Sequence, residues 1–309
     1  MRAIVMADHG AAPGLSDVSI PEPGEEELQV RVRAAAVNGF DLAVAAGLTR
    51  DYMEHRYPLV LGKDFAGEVA ATGSGVSGFA VGDRVFGTVT KPYLGDGSFA
   101  EYVNVPISVG VAKLPDDVTF NEGAALGLAG AAAHDVIAGA SLQPGESVLV
   151  VGATGGVGNQ VIQLAHASGA RVIGTAHTDE ERDLVTRLGA DDIVDGTGEL
   201  ASEVRAISPD GVDVLVHLAG PLDAVDLLRP GGRFVSTLLA SPDQIPTDTV
   251  TVVPIQANPT PEVLAGCATS VARGDTAVHI QQIYPLTMAQ DAFDQFAQGA
   301  LGKLVIEID

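Results

Sequence analysis

Residues 148–165, VLVVGATGGVGNQVIQLA, place an apolar run, a glycine-rich turn and a helix-like run in immediate succession. Gly152, Gly155, Gly156 and Gly158 form the turn, and such small residues let a pyrophosphate approach the backbone N–H groups that open the helix. A lone glycine motif is weak, but a second apolar run, RVIGT, follows at the spacing of a βαβ unit. The segment therefore predicts a dinucleotide site rather than a structural turn that merely tolerates glycine.

The pattern on either side of this turn predicts the fold. From residue 146 to about residue 254, strand-like and helix-like runs alternate, which is typical of a doubly wound parallel sheet. The first third of the chain has short apolar or alternating runs divided by proline and glycine, which favours a partly open β-barrel. We expect an α/β protein: residues 1–118, completed by residues 260–309, form the barrel domain, and residues 119–259 form the nucleotide-binding domain.

Composition argues against several classes of function. The chain has 40 acidic and 17 basic residues and a formal net charge of −23, so no nucleic-acid partner is expected. We expect neither a signal peptide nor a membrane span, because long uncharged apolar stretches are missing from the sequence pattern. The single cysteine, Cys267, permits no intrachain disulfide and no cysteine-based zinc site. A cytoplasmic protein is expected.

The end of the second strand predicts which dinucleotide binds. NAD enzymes place an Asp or Glu there to hold the ribose hydroxyls, whereas this chain has Thr175, Ala176, His177 and Thr178. Together with nearby Arg182, these side chains favour a 2′-phosphate and therefore NADP(H). Three acidic residues follow closely, in what we expect to be the first turn of a helix, so NAD stays the alternative.

The predicted cofactor-binding residues come from the glycine turn, the end of the second strand and the later strand end VLVHLAG. They are Gly152, Thr154, Gly155, Gly156, Val157, Thr175, His177, Thr178, Arg182, Leu218, Ala219 and Gly220. His217 lies in the last of these runs, near where the cofactor is expected, but it is not among the predicted cofactor-binding residues.

The order of several motifs resembles the medium-chain dehydrogenase/reductase superfamily, and more closely its zinc-free quinone oxidoreductase (zeta-crystallin-like) branch. AAAVNGFDLAVAAG is similar to the Asn-x-x-Asp segment of that branch, and YPLVLGKDFAGEVAATGSGVSGFAVGDRVFG to its next conserved stretch. GSFAEYVNVP, GATGGVG, LGAD and GALGKLVIEI follow in the expected order, so the resemblance covers nearly the whole chain. It implies a GroES-like β-barrel domain plus a Rossmann domain, an active site in the cleft between them, and a homodimer joined through the Rossmann sheet edge.

The apolar run FVSTLL, residues 234–239, bears on the homodimer, because such a run would promote aggregation if it were exposed at a sheet edge. We therefore expect it to lie near the joined edge.

The resemblance also implies that no metal is bound. Related alcohol dehydrogenases hold zinc on Cys, His and Cys beside an acidic residue, and the corresponding positions here are Asn38, Lys63 and Leu128, beside Asp64. No soft donors remain among them, and a lysine replaces a ligand. Without a Lewis acid, hydride delivery suits an acceptor that is already electron-poor.

Asn38, Lys63 and Tyr52 are the candidate catalytic residues. By resemblance, Asn38 lies near the nicotinamide and also contacts the cofactor, its amide donating to a carbonyl or to the cofactor; the alternative is an Asn that ties a strand end to its own turn. Lys63 either stabilises negative charge on a substrate oxygen or makes a loop contact, and Asp64 is expected to be structural. Tyr52 is a candidate proton donor, with packing as its alternative.

The expected function is hydride transfer from NADPH to a quinone-type electrophilic acceptor, independent of zinc. Two alternatives stay open. An enoyl or alkene reductase, acting on an α,β-unsaturated carbonyl, shares the hydride step and differs in the acceptor. A non-catalytic NADPH-binding protein would bind the cofactor and oxidise none of it, and the absence of tyrosines usual in this branch gives that alternative weight.

Overall fold

The computed structural model describes all residues, 1–309, and separates them into two compact units. Unit 1 comprises Met1–Leu128 and Pro259–Asp309, and unit 2 comprises Ala129–Asn258. The first division therefore lies within a helix, Phe120–Ala140, and not at residue 118. Since that helix is alanine-rich throughout, its sequence carries no mark of the division.

Short strands and helices alternate along the chain. The strands are β1 Arg2–Met6, β2 Gly14–Asp17, β3 Glu27–Ala36, β4 Glu54–Val60, β5 Asp64–Thr72, β6 Arg84–Thr88, β7 Tyr93–Asp96, β8 Tyr102–Pro106, β9 Val111–Lys113, β10 Ser147–Val151, β11 Arg171–Thr175, β12 Asp192–Val194, β13 Val212–His217, β14 Leu228–Ser236, β15 Thr251–Pro254, β16 Ile280–Pro285 and β17 Lys303–Glu307. The α-helices are α1 Gly39–Ala45, α2 Phe120–Ala140, α3 Gly156–Ala167, α4 Asp179–Arg187, α5 Leu200–Ile207, α6 Pro261–Ala272 and α7 Ala289–Gln298. Three 3₁₀ helices lie at Leu222–Leu227, Pro242–Gln244 and Leu286–Met288.

Unit 1 contains two sheets. One has the strand order β2-β1-β4-β7; the other has the order β16-β17-β3-β5-β6-β9, with β8 also paired to β3. The last strand of the chain, β17, lies antiparallel to β3, with Val305 opposite Ala36. On the other side of β3, Ala36 lies opposite Asp64 of β5. The C-terminal segment thus completes a sheet that the first hundred residues began.

Unit 2 contains one parallel sheet with the order β12-β11-β10-β13-β14-β15. Its central strands are apolar on both faces: Val148 and Val150 belong to one buried cluster, while Leu149 and Val151 belong to another. Such continuous apolar strands are typical of a sheet that is covered on both sides. From β10 the chain adds β11 and β12 on one side of the sheet and then β13, β14 and β15 on the other side. A topological switch point therefore lies between β10 and β13.

Two details of unit 2 differ from the expectation. The run of residues 234–239 is not at an edge, because β14 pairs with both β13 and β15 and Phe234 is fully buried. The edge strand on this side of the sheet is β15, which has only four residues. The connection from β13 to β14, expected to be helical, contains only the 3₁₀ helix Leu222–Leu227, because few residues separate the two strands.

Helix α2 is long and apolar enough to cross a membrane, judged by length and composition alone. In the structure, 67% of its apolar stretch is buried. Buried alanines such as Ala124, Ala131 and Ala133 account for this, because they allow close packing on every side. The helix is therefore explained as a core helix.

Candidate active site

The glycine turn follows β10 and leads directly into α3. Gly152 has a φ of +92°, which favours glycine, and a Cβ there would lie 3.1 Å from the side chains of Leu218 and Ala219. A Cβ on Gly158 would lie 2.2 Å from the carbonyl oxygen of Gly152, so only glycine allows the helix to start this close to the strand. A Cβ on Gly155 would meet nothing nearer than 3.6 Å, so this glycine faces open space.

The start of α3 offers free backbone donors. Gly155 is its N-cap residue and has no side chain that could cap it. The first bond from the helix back to the cap is donated by Asn159 N–H to Gly155 O, at 2.9 Å. The N–H groups of Gly156 and Val157 precede that bond and have no acceptor within the helix. Such donors, aligned with the helix dipole, fit a phosphate group.

Thr175, at the end of β11, forms a hydrogen bond with the first residue of the glycine turn. Its hydroxyl accepts a hydrogen bond from Gly152 N–H at 3.1 Å and lies 3.4 Å from Val150 O, and the side chain is buried. The structure thus gives this predicted cofactor-binding residue a supporting contact with the neighbouring strand end. Thr154, the other threonine of the predicted set, is half-buried within the turn itself.

His177 and Thr178 follow β11 and are exposed. His177 Nδ1 lies 2.7 Å from the carboxylate of Asp195, a residue just beyond β12 that the sequence patterns did not single out. Hydrogen bonds from Thr197, and then from His177, hold the pKa of Asp195 well below its usual range. The Thr178 hydroxyl accepts from Glu181 N–H at 3.2 Å, so it caps α4.

Arg182 lies on the first turns of α4, half-buried, and its guanidinium forms no ion pair. At the end of β13, Leu218 N–H donates to Val151 O, and Ala219 and Gly220 are exposed. His217 is buried, and its two ring nitrogens lie 3.1 Å from Ser236 Oγ and from Gly220 O. With both nitrogens engaged, His217 has a structural explanation.

A cavity of about 1030 Å³ opens at the ends of β10, β12 and β13, on the switch-point side of the sheet. Its size lies at the top of the range typical of small-molecule sites, roughly 300–1,000 Å³. Its lining includes Val151, Gly196, Gly198, Arg205, Gly220 and Pro221. The residues of the glycine turn do not line this cavity, and of the predicted cofactor-binding residues only Gly220 does. The cavity and the free helix donors lie at the same end of the sheet, where dinucleotides bind in this fold.

Unit 1 contains a separate group of buried polar residues, at one end of three adjacent strands. Asn38 follows β3, Asp64 begins β5, and Lys303 begins β17. Asn38 Nδ2 donates to Asp64 Oδ2 at 2.9 Å and to Ala36 O at 3.2 Å, and Asn38 Oδ1 accepts from Lys303 Nζ at 2.8 Å. We call Asn38, Asp64 and Lys303 the buried triad.

Asp64 is fully buried and surrounded by donors. Its Oδ1 accepts from the backbone N–H of Leu128 at 2.7 Å, and Lys303 Nζ lies 3.4 Å from its Oδ2. Burial raises the pKa of Asp64, and the charge of Lys303 and the hydrogen bonds from Asn38 and Leu128 oppose that rise. Because all three hydrogen-bond partners of the Asp64 carboxylate are donors, the ionised form fits this site, whereas a protonated acid would point a hydrogen at a donor.

Asp41, the acidic residue of the Asn-x-x-Asp segment, is a further buried carboxylate beside the triad, and the sequence analysis gave it no role. Its Oδ2 accepts from Asn38 N–H at 2.9 Å, in the first turn of α1. Burial, reinforced by the charge of Asp64, raises the pKa of Asp41 to about 7. This group therefore changes its charge near neutral pH.

Lys63 lies apart from the triad. Its Nζ donates to Val89 O at 2.5 Å and lies 5.2 Å from the centre of the Phe40 ring. Burial lowers its pKa, against the attraction of Asp41 and Asp64. Lys63 and Asp41 both line a small cavity of about 20 Å³, enough for one water molecule.

Tyr52 is the candidate that the structure does not bring to this place. Its side chain is 82% exposed, and it makes no hydrogen bond to the triad. Its neighbour His55 bonds to the hydroxyl of Thr49 at 2.9 Å. Packing, the alternative for Tyr52, is also weak at this exposure.

The residues at the metal-ligand positions do not fit a metal ion. Asn38 Oδ1 already accepts from an ammonium group, Lys63 carries a positive charge, and the Leu128 side chain is apolar. No group of three or more His, Cys, Asp or Glu side chains in the chain is arranged to hold one. These three positions therefore supply none of the Cys and His donors of the related zinc sites.

Two family models match the chain. Residues 24–116 match the alcohol dehydrogenase GroES-like domain, and residues 156–255 match the zinc-binding dehydrogenase family. The quinone oxidoreductase of Sus scrofa is 31% identical over 309 residues, which covers 94% of this chain and 92% of that protein. The quinone oxidoreductase of Lama guanicoe is 34% identical over 261 residues, covering 81% of this chain and 77% of that one. A 2-methylene-furan-3-one reductase of Solanum lycopersicum is 34% identical over 244 residues, covering 76% and 61%.

Solved structures show the same likeness. The quinone oxidoreductase from Coxiella burnetii has a TM-score of 0.86 at 26% identity, covering 100% of this chain and 99% of that one. A mycobacterial protein solved as a complex with NADPH has a TM-score of 0.85 at 27% identity, covering 99% and 100%.

A GroES-like unit joined to a Rossmann unit with a glycine turn defines a nicotinamide-dependent oxidoreductase that acts on a small molecule. The chain belongs to the quinone oxidoreductase family of the medium-chain dehydrogenase/reductase superfamily. This confirms the family and fold predicted from its motifs.

Proposed function

We propose that the protein transfers hydride from NADPH to a quinone-type acceptor without a metal ion. The observation that carries the proposal is the buried triad, in which a lysine ammonium occupies the polar groups that a metal ion would otherwise need. Without a Lewis acid, the acceptor must be electron-poor by itself, as a quinone is. The similarity to quinone oxidoreductases over most of the chain supports the same acceptor class.

For the dinucleotide, unit 2 supplies donors and charge. The free N–H groups of Gly156 and Val157 suit the pyrophosphate, and the open face of Gly155 gives it room. Arg182, which has no acidic partner, and His177 suit a 2′-phosphate. Asp195 beside His177 opposes this preference, so the charge of Arg182 has to outweigh it.

When bound, the dinucleotide supplies the hydride; the residues of unit 1 supply orientation and a proton. Both amide hydrogens of Asn38 are engaged, so Asn38 acts as an acceptor, through the second lone pair of Oδ1. Lys63 Nζ donates one hydrogen to Val89 O. Its two other hydrogens are free to bond to the oxygen of the hydride acceptor, which gains negative charge. Its lowered pKa suits it to release a proton there.

The experiment is cofactor oxidation, followed at the nicotinamide absorbance, with NADPH and NADH in parallel against a quinone and an enone. Turnover of NADPH with the quinone supports the proposal, and faster turnover of NADH contradicts its cofactor part. Lys63→Met should lower kcat about 100-fold if Lys63 donates the proton. Tyr52→Phe should change nothing, and a large loss in that variant would return the role to Tyr52.

An alkene reductase is the second candidate, and the similarity to the 2-methylene-furan-3-one reductase favours it. It uses the same hydride step and differs in the atom that receives the hydride. Turnover with the enone and none with the quinone would select it. Tight NADPH binding without NADPH oxidation by either the quinone or the enone would select the non-catalytic alternative.

We further propose a homodimer that joins the two copies along β15. This strand is one of the two edges of the sheet, and its Val252 and Val253 are half-buried. Light scattering should give twice the chain mass, and Val252→Lys should shift it toward the monomer. A monomer in the unmodified protein would refute the assembly.

A further inference from the structure

Lys303 is a buried cation delivered by the C-terminal segment. In the antiparallel ladder, Val305 lies opposite Ala36, so continuing the register by two residues brings Lys303 beside Asn38. Its side chain is only 5% exposed. The lysine thus reaches across the neighbouring strand into the space between β3 and β5.

The ammonium group is fully satisfied by three acceptors. Its Nζ lies 2.8 Å from Asn38 Oδ1, 3.2 Å from Val37 O and 3.4 Å from Asp64 Oδ2. An ammonium has three hydrogens and no lone pair, so no proton of Lys303 is left over. Lys303 therefore acts on its neighbours and not directly on a ligand.

The triad allows only one orientation of the Asn38 amide. Asn38 lies between Lys303, which can only donate, and ionised Asp64, which can only accept. In a rotated amide, the oxygen would face the carboxylate and the NH₂ group would face the ammonium. Both contacts would then be repulsive, so the two charges fix which end of the amide faces which strand.

We propose that Lys303 is the positioning residue for Asn38: its ammonium and the Asp64 carboxylate hold Asn38 as a hydrogen-bond acceptor toward the ligand. The ligand group it would accept from is an N–H or O–H donor of the dinucleotide's nicotinamide riboside end. This inference rests on the proposed function, in which Asn38 orients the bound dinucleotide. It also makes the C-terminal strand part of the binding machinery.

Charge balance alone does not explain the lysine. A buried ion pair can often be replaced by neutral side chains of similar volume without loss of stability. If Lys303 only compensated Asp64, neutralising both residues would restore everything. If Lys303 positions Asn38, neutralising both would restore stability and leave ligand binding impaired, because Asn at position 64 has no fixed polarity.

The test compares Lys303→Met, Asp64→Asn and the double variant Lys303→Met/Asp64→Asn in the full chain. The readouts are the melting temperature, the dissociation constant for NADPH by fluorescence, and kcat and KM for the quinone. Lys91→Met is the matched control, because the Lys91 side chain is 9% exposed and pairs with Glu27 and Asp96 elsewhere in the unit. The control should lose melting temperature and keep the NADPH dissociation constant.

For Lys303→Met, we expect a lower melting temperature, NADPH binding weaker by about 10-fold, and kcat lower by up to about 100-fold with the quinone KM little changed. The double variant should recover the melting temperature but neither NADPH binding nor kcat. Recovery of all three in the double variant would overturn the positioning role, and so would unchanged NADPH binding in Lys303→Met.

Two outcomes are separable from a failure of the proposed function. If the unmodified protein oxidises no NADPH, the proposed function fails, while the NADPH dissociation constants still decide the role of Lys303. If Lys303→Met does not fold, the double variant decides alone, because it does not leave the Asp64 carboxylate buried without its cation.

Discussion

The glycine turn of unit 2 and the buried triad of unit 1 reach their geometry in opposite ways. The turn is assembled within residues 151–158, from backbone atoms and the absence of side chains. The triad is assembled from side chains that three strands bring together, with Asn38 and Lys303 far apart in the chain. A site formed by contiguous residues can be detected in the sequence as a motif, whereas a site built across strands depends on the register of a whole sheet.

The largest effect should come from removing a glycine of the turn that packing requires. Gly158→Ala would place a Cβ 2.2 Å from Gly152 O, where the backbone has to shift. We expect a loss of several kcal/mol, above the roughly 1–3 kcal/mol of ordinary overpacking, and no NADPH binding. Urea unfolding and NADPH titration measure the two effects.

Gly155→Ala is the matched control, because a Cβ there meets nothing nearer than 3.6 Å. It should keep the stability of the unmodified protein and weaken NADPH binding, since its methyl group occupies the space proposed for the pyrophosphate. Equal stability losses in the two variants would show that the turn is only structural. Unimpaired NADPH binding in Gly155→Ala would remove the turn from the cofactor site.

The next effect concerns Asp41, beside the triad, and depends on pH. Its pKa is about 7 in the folded chain and about 3.8 in the unfolded chain. The folded state therefore binds the proton more tightly, and the stability this provides is complete below about pH 3.8 and is lost as the pH rises through about 7. Asp41→Asn should lack this slope and be more stable than the unmodified protein at pH 8, by roughly 2–4 kcal/mol.

Urea unfolding at pH 5 and pH 8 measures the Asp41 effect. The exposed carboxylate of Asp179 supplies the control, since Asp179→Asn should leave the pH dependence unchanged. Parallel pH profiles in Asp41→Asn and the unmodified protein would mean that Asp41 is not the titrating group. Parallel profiles would also mean that the charge of Asp41 does not act on the triad.

The two regions also differ in how far the sequence predicts them. The strand–turn–helix pattern predicted the Rossmann unit, and the order of motifs predicted the family, because both rest on contiguous residues. Asp41 and Lys303 were missed although both lie inside recognised segments, FDLAV and GKLV. The position of Lys303 beside Asn38 and Asp64 follows from the β17–β3–β5 register, and the burial of Asp41 follows from the packing of α1; periodicity along one segment reports neither.

The edge of the parallel sheet was misjudged for a related reason. The apolar run at residues 234–239 has the same composition whether its strand is central or at an edge. What makes it central is the extra strand β15, Thr251–Pro254, contributed after a loop. The run TVVPIQ is itself strand-like, but its composition does not say which strand it pairs with.

A smaller effect should test the 2′-phosphate role of Arg182. Arg182→Ala should weaken NADPH binding about 10-fold and leave NADH binding nearly unchanged, because a charge-assisted hydrogen bond is worth roughly 1.5–3 kcal/mol when formed. Arg187→Ala is the control, since Arg187 lies on the same helix, is exposed and also forms no ion pair. Isothermal titration of the unmodified protein and the two variants with both dinucleotides measures the six affinities. Equal losses for NADPH and NADH in Arg182→Ala would contradict the role.

The smallest effect should decide what Asp195 does, and it sharpens the contrast between a site read from a motif and one built across strands. Asp195 follows β12 but contacts His177, which follows β11. Asp195→Asn keeps an oxygen for His177 Nδ1 and removes a negative charge, so NADPH should bind about 2–5-fold more tightly if the 2′-phosphate lies beside His177. NADH, which lacks that phosphate, should bind as before. Weaker NADH binding in the same variant would instead mean that Asp195 holds the ribose hydroxyls, and the preference would then be for NAD although β11 ends without a carboxylate.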